Sequence, residues 1–294
     1  GTLETLPDGR IQLTPVARHH LVESSEYYVG NYFARAAESP GARELQARLR
    51  TGKPKGSQPD EQGVGYLFRE GIKSAMEETT MARQLTLQLA GRAANVAPVL
   101  AARLPLAGAR TLLDVGGGSG IYSIAFLRRN PELRSIVWDR PEVLKVAADY
   151  AAESGVADRL ELRPGDMFAD PVPPGVDVVL LSNILHDWDE PECEILVRRC
   201  AAALAPGGRL VVHDVFLNDD LSGPLPAALY STHLFCVTEG RLYSAAEVRR
   251  WLAEGGLTAP SGGGDEHTAC GGAACAVLPR AVMHPADRTS MRVH

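Results

Sequence analysis

The sequence predicts an α/β fold, doubly wound around a mostly parallel sheet, with a smaller helical part at its N-terminal side. Three observations carry this. From residue 111 onward, short apolar runs alternate with helix-like segments, the pattern of strands joined by crossover helices. Those runs are continuously apolar, as strands covered on both faces should be. A glycine-rich turn, DVGGGSG, follows the first run and opens a helix. The division is placed between 1–103 and 104–294.

Taken in order, TLETL and RIQLT flank Asp8-Gly9 and read as a hairpin. LTPVARHHLV follows as a capped helix, and the polar stretch TGKPKGSQPDEQG as a mobile loop. Residues 66–103 are helical in pattern, closed by Pro105 and Gly108. TLLDV (111–115) is the first buried strand, Ser123–Arg129 the next helix, and SIVWD (135–139) the second strand. PEVLKVAADYAAESG is a helix with Pro141 in its first turn and Gly155 at its stop. Further strands are expected at 160–168, 176–182 and 209–215. Between the last two, Asp189, Pro191, Glu192 and Glu194 favour a helix start, Arg198 and Arg199 suit its far end, and Gly207-Gly208 ends it. Ser244 and Glu247 form a capping box for one more helix. Beyond Thr258 the pattern supports at most one weak strand.

The 294 residues are 45% hydrophobic and 22% charged, enough for a sizeable core. A net charge of −6 offers no basic field for a phosphate backbone or an anionic bilayer, so neither nucleic acid nor membrane is an expected partner. No apolar run of membrane-spanning length and no secretory leader is visible, which points to the cytoplasm. Because Gly1 falls inside the hairpin, an upstream segment is expected to precede it. The five cysteines form no CxxC pair, so neither a disulfide framework nor a metal site is the default. Cys270 and Cys275 beside His267 are the weak alternative.

Gly116, Gly118 and Gly120 sit between strand and helix, where glycine permits positive φ and close approach of backbone to a ligand. The dinucleotide fingerprint needs a third glycine where Ile121 stands, so phosphate cradling is not the best reading. Asp139 ends the next strand, where a carboxylate can accept both hydroxyls of a ribose; an ordinary helix cap ahead of Pro141 is the alternative. His186 follows the 176–182 strand at its carboxyl end, the edge where open α/β sheets bind ligands. An imidazole there can take the proton of a phenol, which at neutral pH is almost wholly un-ionised. Trp188 reads as a packing anchor and Asp187 as a cap of the following helix.

DVGGGSG, WDRPEV, GDMF (165–168) and LHDWDEPECEIL followed by LAPGGRLVVHD resemble, in this order, the S-adenosylmethionine-dependent O-methyltransferases of the plant caffeate and bacterial polyketide type. DGRIQLTPVA is similar to the wing of that family's winged-helix part, so the likeness spans roughly residues 6–257. The resemblance implies a Rossmann-like class I methyltransferase fold with a partial N-terminal winged-helix domain serving dimerisation. It implies S-adenosylmethionine as cofactor, S-adenosylhomocysteine as product and a homodimer.

By the same resemblance, Gly116, Gly118 and Gly120 would line the methionine and ribose, Asp139 would hold the ribose hydroxyls, and Asp166 and Met167 would flank the adenine. Ser182 falls where many members place a cofactor-contacting lysine. His186 would be the general base and Asp214 its orienting carboxylate, one methylene shorter than the usual glutamate. The second family carboxylate aligns with Leu242, and Glu239 is the substitute. Phe68, Met76, Tyr230, His233 and Phe235 would form the acceptor pocket, though at helical spacing such residues also read as core. The function expected is methyl transfer to a phenolic hydroxyl of a small aromatic secondary metabolite. C- or N-methylation, a cofactor-retaining hydroxylase or decarboxylase, and a winged-helix effector-binding regulator stand as alternatives.

Overall fold

A computed structural model of the chain describes residues 1–52 and 79–257, together with the backbone of 274–279. Phe68, Met76, His267 and Cys270, the side chain of Cys275 and most of the expected polar loop lie outside these residues. Two compact units are present, 1–55 and 56–294.

In the first unit, β1 (Leu3–Thr5) and β2 (Ile11–Leu13) pair antiparallel around a turn. Asp8 holds that turn by accepting from the Arg10 backbone N–H at 3.1 Å. Helix α1 (Pro15–Leu21) is capped by Thr14, whose Oγ1 accepts from Ala17 N, with proline in the first turn as its fixed φ favours. Helices α2 (Gly30–Ala37) and α3 (Pro40–Thr51) complete the unit. Neither was expected from the sequence.

The second unit begins with the long helix α4 (Thr79–Arg103) and continues as β3 (Thr111–Val115), α5 (Ile121–Arg129), β4 (Arg134–Asp139), α6 (Pro141–Glu153), β5 (Leu160–Pro164) and β6 (Val176–Ser182). Then come α7 (Glu190–Ala203), β7 (Leu204–Asp214), α8 (Leu225–Val237), α9 (Ala245–Glu254) and β8 (Ala274–Pro279). The sheet order is β5-β4-β3-β6-β7-β8. The first five are parallel, and β8 runs antiparallel to β7, supplying the weak strand expected beyond Thr258.

Period-two geometry explains why the strand runs are uniformly apolar. Leu112, Leu180 and Val211 point to one face, where α4, α5 and α6 bury Leu100, Phe126 and Leu144. Their neighbours Leu113, Leu181 and Val212 point to the other, beneath Leu196 and Val197 of α7 and Trp251 and Leu252 of α9. The sequence grouped α4 with the N-terminal part. Its Ala97, Leu100 and Leu104 are instead committed to the first of these cores, within the second unit.

Three further boundaries differ from expectation. β5 stops at Pro164, because 165–168 turn over the sheet edge with Asp166 Oδ1 accepting from Phe168 N at 2.7 Å. β7 starts at Leu204, five residues early, so Gly207-Gly208 lies within an irregular part of the strand instead of ending a helix. α8 was missed because LPAALYSTHLFCV is apolar on most faces and shows no stripe.

Asp114 on β3 is fully buried, accepting from Ser123 Oγ at 2.7 Å, and Ser135 Oγ donates to Ser123 Oγ at 2.8 Å. Burial pushes its carboxyl up to about 7, with the Ser123 hydrogen bond opposing and the Asp139 charge adding. A folded pKa above the unfolded value of about 4 gives a contribution complete below about pH 4 and lost as pH rises through about 7. Asp114→Asn keeps an acceptor for Ser123 without the charge. Thermal melts should therefore show wild-type stability falling from about pH 5 to 8 relative to this variant; parallel profiles would contradict the buried proton.

Candidate active site

The carboxyl ends of β3, β4 and β6 open on a cavity of about 450 Å³. Strand register places them there together: Val115 is paired with Trp138 on one side and Leu181 on the other. At one end of the cavity lies the glycine turn. Gly116, Gly118 and Gly120 all have positive φ (63°, 59° and 72°). At Gly116 a Cβ would stand 2.6 Å from Ile184 Cδ1 and 3.2 Å from Met167 Cε, so any side chain there would collide with the wall.

Asp139 is aimed by two backbone donors, Gly118 N to Oδ2 at 2.8 Å and Arg140 N to Oδ1 at 2.7 Å. Carboxylate oxygens accept more than one hydrogen bond, so capacity remains for a diol. Burial raises the Asp139 pKa, with the two backbone bonds opposing. Asp166 and Met167 line the same end, and Arg140 approaches Asp166 at 3.6 Å. Ser182 also lines the cavity. Its Oγ lies 2.9 Å from His213 Nδ1 and accepts from Asn183 Nδ2 at 3.1 Å, a neutral polar pair where a lysine would have brought charge.

A shallow cradle, a diol-sized acceptor and a thioether neighbour in Met167 fit the nucleoside and amino-acid halves of S-adenosylmethionine. Gly116, Gly118, Gly120, Asp139, Asp166 and Met167 are the residues that would hold it.

At the other end, a single turn (Leu185–Asp187) after β6 carries His186, which is 4% exposed. Its Nδ1 lies 2.6 Å from Asp214 Oδ1, at the end of β7. An ionised carboxylate can only accept, so Nδ1 carries the proton and Nε2 is left as the basic nitrogen. Asp214 Oδ1 is itself fixed by the Val215 N–H at 2.8 Å. Burial alone would lower the His186 pKa, but the Asp214 and Asp187 carboxylates outweigh it and raise it to about 9.

Asp187 does not cap the following helix as expected. Asp189 occupies that position, and Asp187 turns its Oδ1 to His186 Nε2 at 3.6 Å. Burial pushes the Asp187 carboxyl up to about 7 against the pull of His186. Trp188 anchors the turn, with Phe168 edge-on at 4.6 Å and its carbonyl accepting from the Tyr243 hydroxyl at 2.6 Å, and also lines the cavity.

Of the remaining expected residues, Tyr230 and His233 face the cavity from α8, whereas Phe235 does not line it; Leu234, Val237 and Thr238 do. Helical geometry accounts for this, since Phe235 lies about 140° round the helix from Tyr230 and Leu234 only about 40°. Leu242 is wholly buried against Ala227 and Leu234, a core position with no carboxylate. Glu239 is buried at 8% exposure but is not among the lining residues. Next to it, Gly240 packs so tightly that a Cβ would meet the His186 carbonyl at 2.4 Å.

Sequence reasoning missed Arg92, Tyr122 and Asn183, all in the cavity wall. Arg92 follows Leu85 and Leu89 at i, i+4, i+7, a cation on an otherwise apolar stripe, which was a readable signal. Asn183, at φ 56°, carried none.

Comparison with known proteins agrees with this geometry. The family model for the O-methyltransferase domain matches residues 43–258. The 3-hydroxy-5-methyl-1-naphthoate 3-O-methyltransferase of Streptomyces sahachiroi is 36% identical over 253 residues, 85% of this chain and 70% of that protein. The tetracenomycin polyketide synthesis 8-O-methyltransferase of Streptomyces glaucescens is 30% identical over 267 residues, 88% of this chain and 74% of that one. Among solved structures, an O-methyltransferase family 2 protein from Planctomyces limnophilus in complex with apigenin superposes with a TM-score of 0.80. It is 44% identical, with 95% of this chain and 78% of that chain covered.

The fold and crevice are those of a class I methyltransferase that uses S-adenosylmethionine. The chain belongs to the O-methyltransferase family.

Proposed function

We propose that this chain methylates a phenolic hydroxyl of a small aromatic metabolite, with His186 as general base. The observation that carries the reading is the 2.6 Å hydrogen bond from His186 to Asp214 at the wall of the cavity. When bound, S-adenosylmethionine supplies an electrophilic methyl group on a sulfonium. Gly116, Gly118, Gly120, Asp139, Asp166, Met167 and Ser182 bind and orient that donor.

The acceptor ring lies between α4 and α8, against Tyr230, Leu89 and Leu234 with His233 at the margin. Its hydroxyl gives its proton to His186 Nε2 as the oxygen is alkylated. An imidazole held near 9 is closely matched to a phenol at about 10, so the transfer is only slightly uphill. Asp214 keeps the proton on Nδ1 and stabilises the imidazolium that forms. Apolar walls exclude water and hold the reactants in line, which lowers the barrier further. The Streptomyces sahachiroi relative, a 3-hydroxy-5-methyl-1-naphthoate 3-O-methyltransferase, supports the acceptor class.

Cys193 and Cys200 are buried free thiols, which supports a reducing, cytoplasmic setting. The exposed Tyr32 and Phe33 of the N-terminal unit, 85% and 54% accessible, support a homodimer. Light scattering should return twice the chain mass of 31.5 kDa, and a monomer across micromolar concentrations would contradict it.

His186→Ala should lower kcat by roughly 10²- to 10⁴-fold while S-adenosylhomocysteine still binds. For the wild type, kcat/KM should climb with pH from neutrality towards 9 as the imidazole loses its proton, and the variant should lack that climb. Product mass spectrometry on a panel of phenols reads both, and an unchanged rate in His186→Ala rules out the base.

A further inference from the structure

We infer that Arg92 anchors a carboxylate on the acceptor, so that the substrates are hydroxylated aromatic acids and not neutral phenols. The inference rests on the methyl-transfer reading and narrows it.

Arg92 reaches the cavity from α4, on the stripe it shares with Leu85 and Leu89. Its Nη1 donates to the Tyr230 hydroxyl at 3.2 Å, which fixes the plane of the guanidinium. Among the described residues this is its one hydrogen bond, and no carboxylate lies within ion-pair distance. The other arginine in the wall, Arg140, is matched by Asp166 at 3.6 Å. The two nearby carboxylates, Asp214 and Asp187, act on Arg92 through space, while their close contacts are to His186, Asp214 at 2.6 Å and Asp187 at 3.6 Å.

Among the described residues no carboxylate is hydrogen-bonded to this cation, and a ligand carboxylate would supply the direct partner that Tyr230 alone does not. The guanidinium fork matches a carboxylate in a two-point contact. The Tyr230 hydroxyl accepts from Arg92 and so retains its own proton to donate to the same anion.

Tyr230 also sets the span. Its ring stands edge-on to His186 with centroids 5.9 Å apart, while its hydroxyl touches Arg92. An acceptor lying along Tyr230 therefore meets the base at one end and the guanidinium at the other, with Leu89, Ala93 and Leu234 available to its ring. Hydroxyl and carboxylate belong on separate positions of one aromatic system. Charge on the carboxylate is unchanged through the reaction, so Arg92 acts in binding and orientation.

The test is calorimetry on the protein saturated with S-adenosylhomocysteine, using 3-hydroxybenzoate, 4-hydroxybenzoate and 3-hydroxy-1-naphthoate, each against its methyl ester. A charge-assisted pair of this kind corresponds to about a ten- to hundredfold preference. The wild type should bind the best acid at least about tenfold tighter than its ester. Arg92→Gln should bring the two within about twofold, and Arg92→Lys should fall between. The affinity of each variant for S-adenosylhomocysteine reports that it has folded. Equal binding of acid and ester by the wild type, acids that fail to bind, or a preference that survives in Arg92→Gln would each overturn the assignment. Turnover separates the two readings: an acid preference lost in Arg92→Gln but with no O-methylated product retains the anchor and overturns methyl transfer. Product formed without any acid preference does the reverse.

Discussion

The hydrogen bond between His186 and Asp214 is the constraint on which the rest of the site depends. It joins the turn after β6 to the end of β7, two strands that are neighbours in the sheet, so His186 is held from the sheet itself. A basic nitrogen that is buried would normally lose its proton affinity. Two carboxylates reverse that tendency here and raise the imidazole to about 9. Their arrangement is asymmetric. Asp214 is bonded to Nδ1 and to a backbone N–H, while Asp187 stands further off on the side of Nε2. One orients the ring and the other adds field without blocking the reactive nitrogen.

The remaining features serve to bring two reactants to that nitrogen. Parallel strands deliver the glycine turn, Asp139 and His186 to a single edge, and the positive φ of the glycines lets main chain stand where side chains would otherwise fill the crevice. Both faces of the sheet are sealed by leucine- and valine-rich layers, which makes that edge the polar opening in an otherwise apolar body. α4 and α8 supply Arg92, Tyr230 and Leu234 to the wall of the same cavity.

Much of this was legible in the sequence because the signals were local. β3 and β6 were placed to the residue, since a buried parallel strand is written as an unbroken apolar run, and the Ser244–Glu247 capping box was found in place at α9. Asp139 and Asp214 were readable because each ends a strand, and His186 because it lies in the turn that follows one. α8 was not, because its apolar residues are spread over most faces, the exposed Leu225 and Leu229 included, so no polar stripe marks it. The role of Asp187 was misread for a related reason: helix-start chemistry is satisfied equally well by Asp189, and only the fold decides which carboxylate turns inward. Arg92 lies more than ninety residues from His186 in the chain, so no pattern of spacing could have joined them. Ser182, where a lysine was expected, sits in a hydrogen-bonded pair with His213 that the sequence could not pair in advance.

The proton affinity of His186 is the property that most directly tests the account. Nitrogen-edited NMR of the imidazole, followed across pH in the protein loaded with S-adenosylhomocysteine, should find the ring titrating well above the ordinary 6.5 with its proton resting on Nδ1. Asp214→Asn should move that titration down. A wild-type ring that titrates at or below its ordinary value, and does not respond to the substitution, would contradict the base and its partner together.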